Sequence, residues 1–145
     1  MLINFLTGLS TMVICLLLQA LLLVRVIHYY GRHRGQIATP SYWSTLAVVS
    51  VVMLVLVIGN LAQVAIWALL FLWLEEFQAF DEAFYHSAVN FATLGYGDFV
   101  MSPAHKLLGP LEAINGVLMI GVSTAALMAA FQDAIRQTAQ ARRGL

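Results

Sequence analysis

A long uncharged apolar stretch constrains the fold of this chain more than any other feature of its sequence. Residues 44–74 contain no charged side chain and exceed the roughly 20 apolar residues that span a bilayer as a helix. Similar apolar stretches begin near residue 4 and after Pro103. With 61 % hydrophobic and 10 % charged residues, the composition is far from that of soluble proteins. We therefore predict an all-α membrane protein with three transmembrane helices.

The first apolar run is predicted to be a retained transmembrane helix at residues 1–30. A cleaved secretory signal is the alternative, but no basic residue precedes this run and no small-residue cleavage site follows it. Residues 31–43 are predicted to form a loop, because Gly31, Gly35 and Pro40 interrupt a polar, basic segment. The next transmembrane helix, the outer helix, is predicted at residues 44–74.

A short helix and a last long helix are predicted in the remaining sequence. The short helix, at residues 81–92, begins with two acidic residues, which suit the positive end of a helix dipole. The last helix is predicted at residues 103–135, with Pro110 bending its outer end. Residues 136–145 are predicted to form a short tail.

The distribution of basic residues predicts the orientation of these helices. Cytoplasmic segments near membrane spans are enriched in Lys and Arg. Placing the 31–43 loop and the C-terminus in the cytoplasm puts six of the seven basic residues there: Arg25, Arg32, Arg34, Arg136, Arg142 and Arg143. The N-terminus is then outside, and the chain is expected in a plasma membrane, of the bacterial inner-membrane type. Acidic residues fall mainly on the outer side, where they could concentrate cations.

The hexapeptide TLGYGD, at residues 93–98, lies between the short helix and the last apolar span. Gly95 and Gly97 alternate with Leu94 and Tyr96, and glycine adopts the positive φ angles that a β-carbon disfavours. Such alternation lets successive backbone carbonyls point the same way, as an ion-coordinating strand requires. This segment resembles the selectivity filter of the tetrameric potassium channels.

The resemblance extends over residues 44–135, as outer helix, re-entrant pore helix, filter and inner helix. It implies a fourfold channel, a homotetramer in which each chain contributes one filter strand. It further implies potassium ions as the permeant ligand, with no other cofactor. The backbone carbonyls that would bind potassium are those of Thr93, Leu94, Gly95, Tyr96 and Gly97, together with the Thr93 hydroxyl.

Tyr85, Asp98 and Glu112 are predicted to support the filter. Relatives often carry an aromatic donor to the filter aspartate eight residues before the filter threonine, so we predict a contact between Tyr85 and Asp98. Glu112 lies where the back of the filter is expected. An ionised Glu112 needs a polar partner, for which His86 and Asn90 of the pore helix are the candidates, and a protonated Glu112 would bond to a neighbouring group. The alternative for Glu112 is exposure at the outer interface. The Tyr96 phenol is expected to pack against the aromatic-rich pore helix.

Two glycines on the last helix each have two interpretations. Gly116 and Gly121 resemble the gating-hinge segment of the family, with Gly116 the better candidate, but both could equally permit close helix packing. With Gly116 as the hinge, helical spacing directs Val117, Ile120, Thr124 and Met128 toward one face, expected to line a water-filled cavity. Ile120 or Met128 could form an apolar constriction, although packing against neighbouring helices explains the same pattern. On the second span, Asn60, Gln63 and Trp67 are predicted to join helices.

Other functional classes lack support in the sequence. We expect no enzyme activity, since no phosphate loop or nucleophile elbow is present. Basic residues are too few for nucleic-acid binding, and the spacing of the four histidines does not suggest a metal site. Three interpretations remain: a potassium-selective channel, a weakly selective cation channel, and a non-conducting regulatory membrane subunit. Membrane lipid and an unidentified regulatory protein are the other expected partners.

Overall fold

The computed structural model describes residues 2–37 and 42–143. These residues form helices and connecting turns, without a strand, as the predicted all-α class requires. The helices are α1 (Leu2–Ile37), α2 (Tyr42–Trp73), α3 (Phe80–Phe91) and α4 (Leu108–Arg143). Three segments are long and apolar enough to cross a membrane: Leu2–Tyr29, Leu46–Trp73 and Leu108–Arg136. The chain is a multi-pass membrane protein.

The short helix α3 packs against both α2 and α4, and α1 packs against the same two long helices. Their shared core centres on Phe71 of α2, whose ring contacts those of Trp67, Phe77 and His86. Cys15 of α1 lies in the same buried cluster. The first helix is therefore packed on its own chain.

The predicted loop at residues 31–43 is corrected by the structure, because α1 continues to Ile37 and α2 begins at Tyr42. A glycine within a helix costs only about 1 kcal/mol. Each further residue of a helix that has already formed gains a hydrogen bond. Neither Gly31 nor Gly35 therefore ends α1, and Pro40 lies outside the described residues.

The predicted start of the last helix at residue 103 is also corrected, since α4 begins at Leu108. Residues 103–107 form turns, in which the Ser102 carbonyl accepts from the backbone N–H groups of His105 and Lys106. A proline ring clashes with the carbonyl four residues earlier in a helix, which here belongs to Lys106. Pro110 therefore lies in the first turn of α4, where no N–H is needed, rather than in the interior of the helix. At its other end α4 extends to Arg143, beyond the predicted residue 135.

Buried polar side chains join α1, α2 and α4 within the membrane. Gln19 of α1 donates to Ser123 Oγ at 2.9 Å and accepts from Gln63 Nε2 at 2.8 Å. Ser123 Oγ also lies 3.3 Å from Asn60 Oδ1. The predicted role of Asn60 and Gln63 in joining helices is confirmed, and Gln19 and Ser123 are the partners that the sequence did not reveal. Such bonds hold helices together in lipid, where no water competes for them.

Gly116 lies at the closest approach of α4 to the C-terminal end of α3. A β-carbon at this position would be 2.0 Å from the carbonyl oxygen of Phe91, whereas one at Gly121 would meet no atom within 4 Å. Close packing of α4 on α3 therefore explains why residue 116 is a glycine. No contact within the chain explains the glycine at position 121.

Replacing Gly116 by Ala should destabilise the protein, because its β-carbon would push α3 away from α4. Overpacking typically costs about 1–3 kcal/mol, and a clash with backbone is at the upper end of that range. The midpoint of thermal unfolding in detergent micelles measures the effect. Gly121→Ala is the matched control and should leave the midpoint unchanged or slightly raised, because alanine favours the helix. Equal midpoints for the two variants would contradict this explanation of Gly116.

Candidate functional site

The C-terminal end of α3 turns directly into the hexapeptide. The Thr93 N–H donates to the carbonyl of Asn90, and the Leu94 N–H donates to that of Val89, both at 2.8 Å. This pair of bonds is a Schellman motif, which requires a left-handed residue at the position of Thr93. Thr93 has a φ of 59° accordingly. The beginning of the hexapeptide is therefore fixed by the helix that precedes it.

The backbone of the hexapeptide alternates in handedness. Gly95 and Gly97 have φ angles of 60° and 77°, as the sequence predicted, and Thr93 adds a third left-handed position that it did not predict. The intervening Leu94 and Tyr96 are not among the residues with positive φ. Alternation between left- and right-handed conformations is the arrangement in which successive carbonyls share one side of a strand.

The middle of the hexapeptide is little covered by its own chain. A β-carbon at Gly95 or Gly97 would meet no atom within 4 Å. The side chains of Leu94 and Tyr96 are 54 % and 66 % exposed. A cleft of about 400 Å³ separates the hexapeptide from α4. Tyr96 is therefore mostly uncovered by its own chain, and its expected packing on the pore helix stays a prediction.

Two hydrogen bonds hold the far end of the hexapeptide against α3. Tyr85 Oη donates to Asp98 Oδ2 at 2.8 Å, which is the predicted contact. One residue further on, the Phe99 carbonyl lies 3.0 Å from His86 Nδ1. Asn90 Nδ2 donates to His86 Nε2, so Nδ1 carries the ring proton and donates to Phe99. The hydrogen bond to Asp98 also raises the pKa of the Tyr85 phenol, because the protonated form is the donor.

Glu76 joins the C-terminal end of α2 to the segment that leads into α4. Its carboxylate accepts from the Ser102 N–H at 2.7 Å, from the Ser102 hydroxyl at 2.5 Å, and from His105 Nδ1. Burial by itself would raise the pKa of Glu76, but the bonds from Ser102 and His105 outweigh it and lower the pKa. Glu75, just before it, ends α2 in a second Schellman motif with a φ of 57°. The sequence predicted neither the hydrogen bonds of Glu76 nor the left-handed conformation of Glu75.

Glu112 is fully buried behind α3, which excludes its exposure at the outer interface. Its Oε1 is hydrogen-bonded to Ser87 Oγ of α3. Of the two predicted partners, Asn90 also faces the Glu112 carboxyl group, whereas His86 is bonded to Asn90. The prediction therefore named the right helix and, in Asn90, a residue that faces Glu112, but it missed Ser87 on the buried face of α3.

The remaining candidate residues lie on an open face of α4. The side chains of Val117, Ile120 and Met128 are 58 %, 41 % and 53 % exposed, and Thr124 is exposed with its hydroxyl bonded to the Ile120 carbonyl. No other helix of the described chain covers these four side chains. Their predicted role as a cavity lining stays a prediction.

The site contains backbone carbonyls but no cluster of metal-binding side chains. Among residues 2–37 and 42–143, no group of three or more His, Cys, Asp or Glu side chains could hold a metal ion. The groups that this arrangement can present to a cation are the backbone carbonyl oxygens, the Thr93 hydroxyl and the Asp98 carboxylate.

Comparison with known proteins agrees with this architecture. A family model described as "Ion channel" matches residues 61–133, from the middle of α2 to the C-terminal half of α4. This match covers half of the chain and includes α3 and the hexapeptide. The chain belongs to this family of ion channels. No curated protein and no solved structure gives a significant match.

The Tyr85–Asp98 bond should stabilise the strand between them, so breaking it should alter ion conduction. Tyr85→Phe and Asp98→Ala should each reduce ion flux through reconstituted protein. A hydrogen bond to a charged group contributes about 1.5–3 kcal/mol, so a flux change of roughly tenfold is expected. The double variant should be no worse than the more severe single variant, because both remove one interaction. Additive losses in this double-mutant cycle would show that the two residues act separately.

Glu76 should stabilise the fold in a pH-dependent way. Its pKa is lowered from the ordinary 4.5 on folding, so its contribution is complete above about pH 4.5 and is lost as the pH falls through the lower folded value. Glu76→Gln should therefore lower the midpoint of thermal unfolding at pH 7. This difference from the wild type should shrink below pH 4.5. The neighbouring exposed Glu75 gives the control, and Glu75→Gln should leave the midpoint nearly unchanged at both pH values.

Proposed function

We propose that the protein is a potassium-selective channel that conducts potassium passively through a filter of backbone carbonyls. The filter is formed by Thr93, Leu94, Gly95, Tyr96 and Gly97, with the Thr93 hydroxyl at its inner end. Membership in the ion channel family supports conduction as the function. The choice of potassium rests on the hexapeptide.

The observation that carries this proposal is the alternating handedness at residues 93–97. Thr93, Gly95 and Gly97 have φ angles of 59°, 60° and 77°. A strand of this kind can direct a row of oxygens toward one axis, where they replace the hydration shell of a dehydrated cation. Neutral carbonyls bind potassium weakly enough that it can also leave.

We propose a homotetramer as the functional unit, because one strand cannot surround an ion. The exposed side chains of Leu94 and Tyr96, and the open face of α4, are then covered by neighbouring subunits or face the conduction pathway. Cyclic symmetry places the four strands around one axis, with Val117, Ile120, Thr124 and Met128 lining the cavity below. Gly121, where a β-carbon would meet no atom, remains free to act as a hinge.

The proposed orientation places the N-terminus outside and the C-terminus in the cytoplasm of a bacterial type of plasma membrane. Arg25, Arg32 and Arg136 then lie on the cytoplasmic side. The cluster around Glu76 and the exposed acidic start of α3 surround the outer entrance, where they attract cations.

Potassium flux into proteoliposomes tests the function, with Gly95→Ala as the variant. The wild type should pass potassium and exclude sodium, and native mass spectrometry should detect four copies. Gly95→Ala should lose flux or selectivity, because a left-handed alanine costs roughly 1–2 kcal/mol in each subunit. Gly31→Ala is the matched control, since Gly31 lies within α1 and a β-carbon there would meet no atom within 4 Å.

The outcomes of this experiment separate the three interpretations. Equal passage of sodium and potassium would indicate a weakly selective cation channel. Absence of flux from a correctly assembled wild type would indicate a non-conducting subunit. Unchanged flux and selectivity in Gly95→Ala would defeat the assignment of the filter.

A further inference from the structure

Glu112 is the one acidic side chain that the described structure buries completely within a membrane-spanning helix. It lies on α4 and faces α3, on the side away from the proposed conduction pathway. A fully buried carboxylate in lipid is costly unless several donors or a cation compensate its charge.

The hydrogen bonds of Ser87 determine the protonation state of Glu112. Ser87 Oγ lies 2.8 Å from the Val64 carbonyl oxygen and is also hydrogen-bonded to Glu112 Oε1. A hydroxyl has one proton to donate and two lone pairs that accept. A carbonyl can only accept, so Ser87 donates its proton to Val64. The proton in the bond between Ser87 and Glu112 must then come from the carboxyl group.

The other groups around Glu112 also favour the protonated, neutral carboxylic acid. Its Oε2 has no hydrogen-bond partner, which an ionised carboxylate would require. The groups that face it are neutral: the Cys15 thiol of α1, the Val64 carbonyl of α2, and Ser87 and Asn90 of α3. Within the described residues no Lys, Arg or His pairs with Glu112.

We propose that Glu112 is a neutral carboxylic acid whose proton is donated to Ser87 Oγ, and that this bond positions the pore helix. The result is a chain of two hydrogen bonds, from Glu112 on α4 through Ser87 on α3 to Val64 on α2. It fixes α3 between the two long helices one turn before the Schellman motif that sets Thr93. Glu112 is a positioning residue, since it touches neither the strand nor the ion. Its effect on conduction rests on the proposed function, whereas its protonation does not.

Infrared spectroscopy of the purified protein in lipid tests the protonation directly. At neutral pH the wild type should show the carbonyl stretch of a protonated carboxylic acid, and Glu112→Gln should remove it. Glu82→Gln, at an exposed position of α3, is the matched control and should leave the band unchanged. Ser87→Ala should shift the band to higher frequency, because the acid loses its acceptor. A wild type without this band, or a band that survives in Glu112→Gln, would overturn the proposal.

Potassium flux through the same variants tests the positioning role. Glu112→Gln should keep flux within about twofold of the wild type, since the amide N–H can donate to Ser87 as the acid does. Glu112→Ala should lower flux by about tenfold, because Ser87 loses its partner and a cavity forms. If Glu112→Ala fails to assemble, the flux of Glu112→Gln still tests the proposal. A tenfold loss of potassium flux in Glu112→Gln would overturn the role of Glu112 as a neutral donor to Ser87. If the wild type passes no potassium, the proposed function fails while the infrared result still stands.

Discussion

Non-helical backbone at membrane depth is the constraint on which the rest of this structure depends. Lipid offers no hydrogen bonds, so such a segment is tolerated only where protein buries it or water reaches it. Residues 92–107 form the non-helical connection between α3 and α4, and the hexapeptide within it lies at membrane depth in the proposed channel. Its start is closed by the Schellman bonds of Thr93 and Leu94, and its far end is held by Tyr85 and His86. Between these anchors, a β-carbon at Gly95 or Gly97 would meet no atom within 4 Å, which suits the proposed role of this backbone in facing an ion.

These hydrogen bonds hold the hexapeptide in place only if α3 itself is held in place. Helix α4 does this by packing against α3. The absence of a side chain at Gly116 lets α4 touch the Phe91 carbonyl, and Glu112 reaches Ser87 one turn earlier on α3. The two contacts are of different kinds, one steric and one polar, and both come from the helix that carries the proposed hinge. A rotation of α4 about Gly121 would leave them in place, whereas a bend at Gly116 would disturb the end of α3. Of the two hinge candidates, the packing therefore favours Gly121.

The sequence predicted most of the architecture, because long apolar runs and glycines carry strong local signals. The positive φ angles of Gly95 and Gly97 were foreseen for that reason, and the Tyr85–Asp98 contact followed from family resemblance. Thr93 and Glu75 were missed, because a left-handed residue at a helix end is usually glycine and neither of them is. Pro110 was assigned to a helix interior, because the start of α4 depends on a carbonyl clash rather than on composition. The partners of Glu112 and Gln19 depend on tertiary packing, which single-residue patterns do not encode.

Helix α1 lies outside the matched family region, yet the structure makes it part of the same unit. The amide of Gln19 contacts both Gln63 of α2 and Ser123 of α4, so removing α1 would leave buried polar groups facing lipid. Ser123 is two residues beyond Gly121, and its hydroxyl also lies 2.9 Å from the Met119 carbonyl one turn back. The first helix is thus attached to α4 close to Gly121. Any movement of α4 at this glycine must either carry α1 with it or break the bond between Gln19 and Ser123.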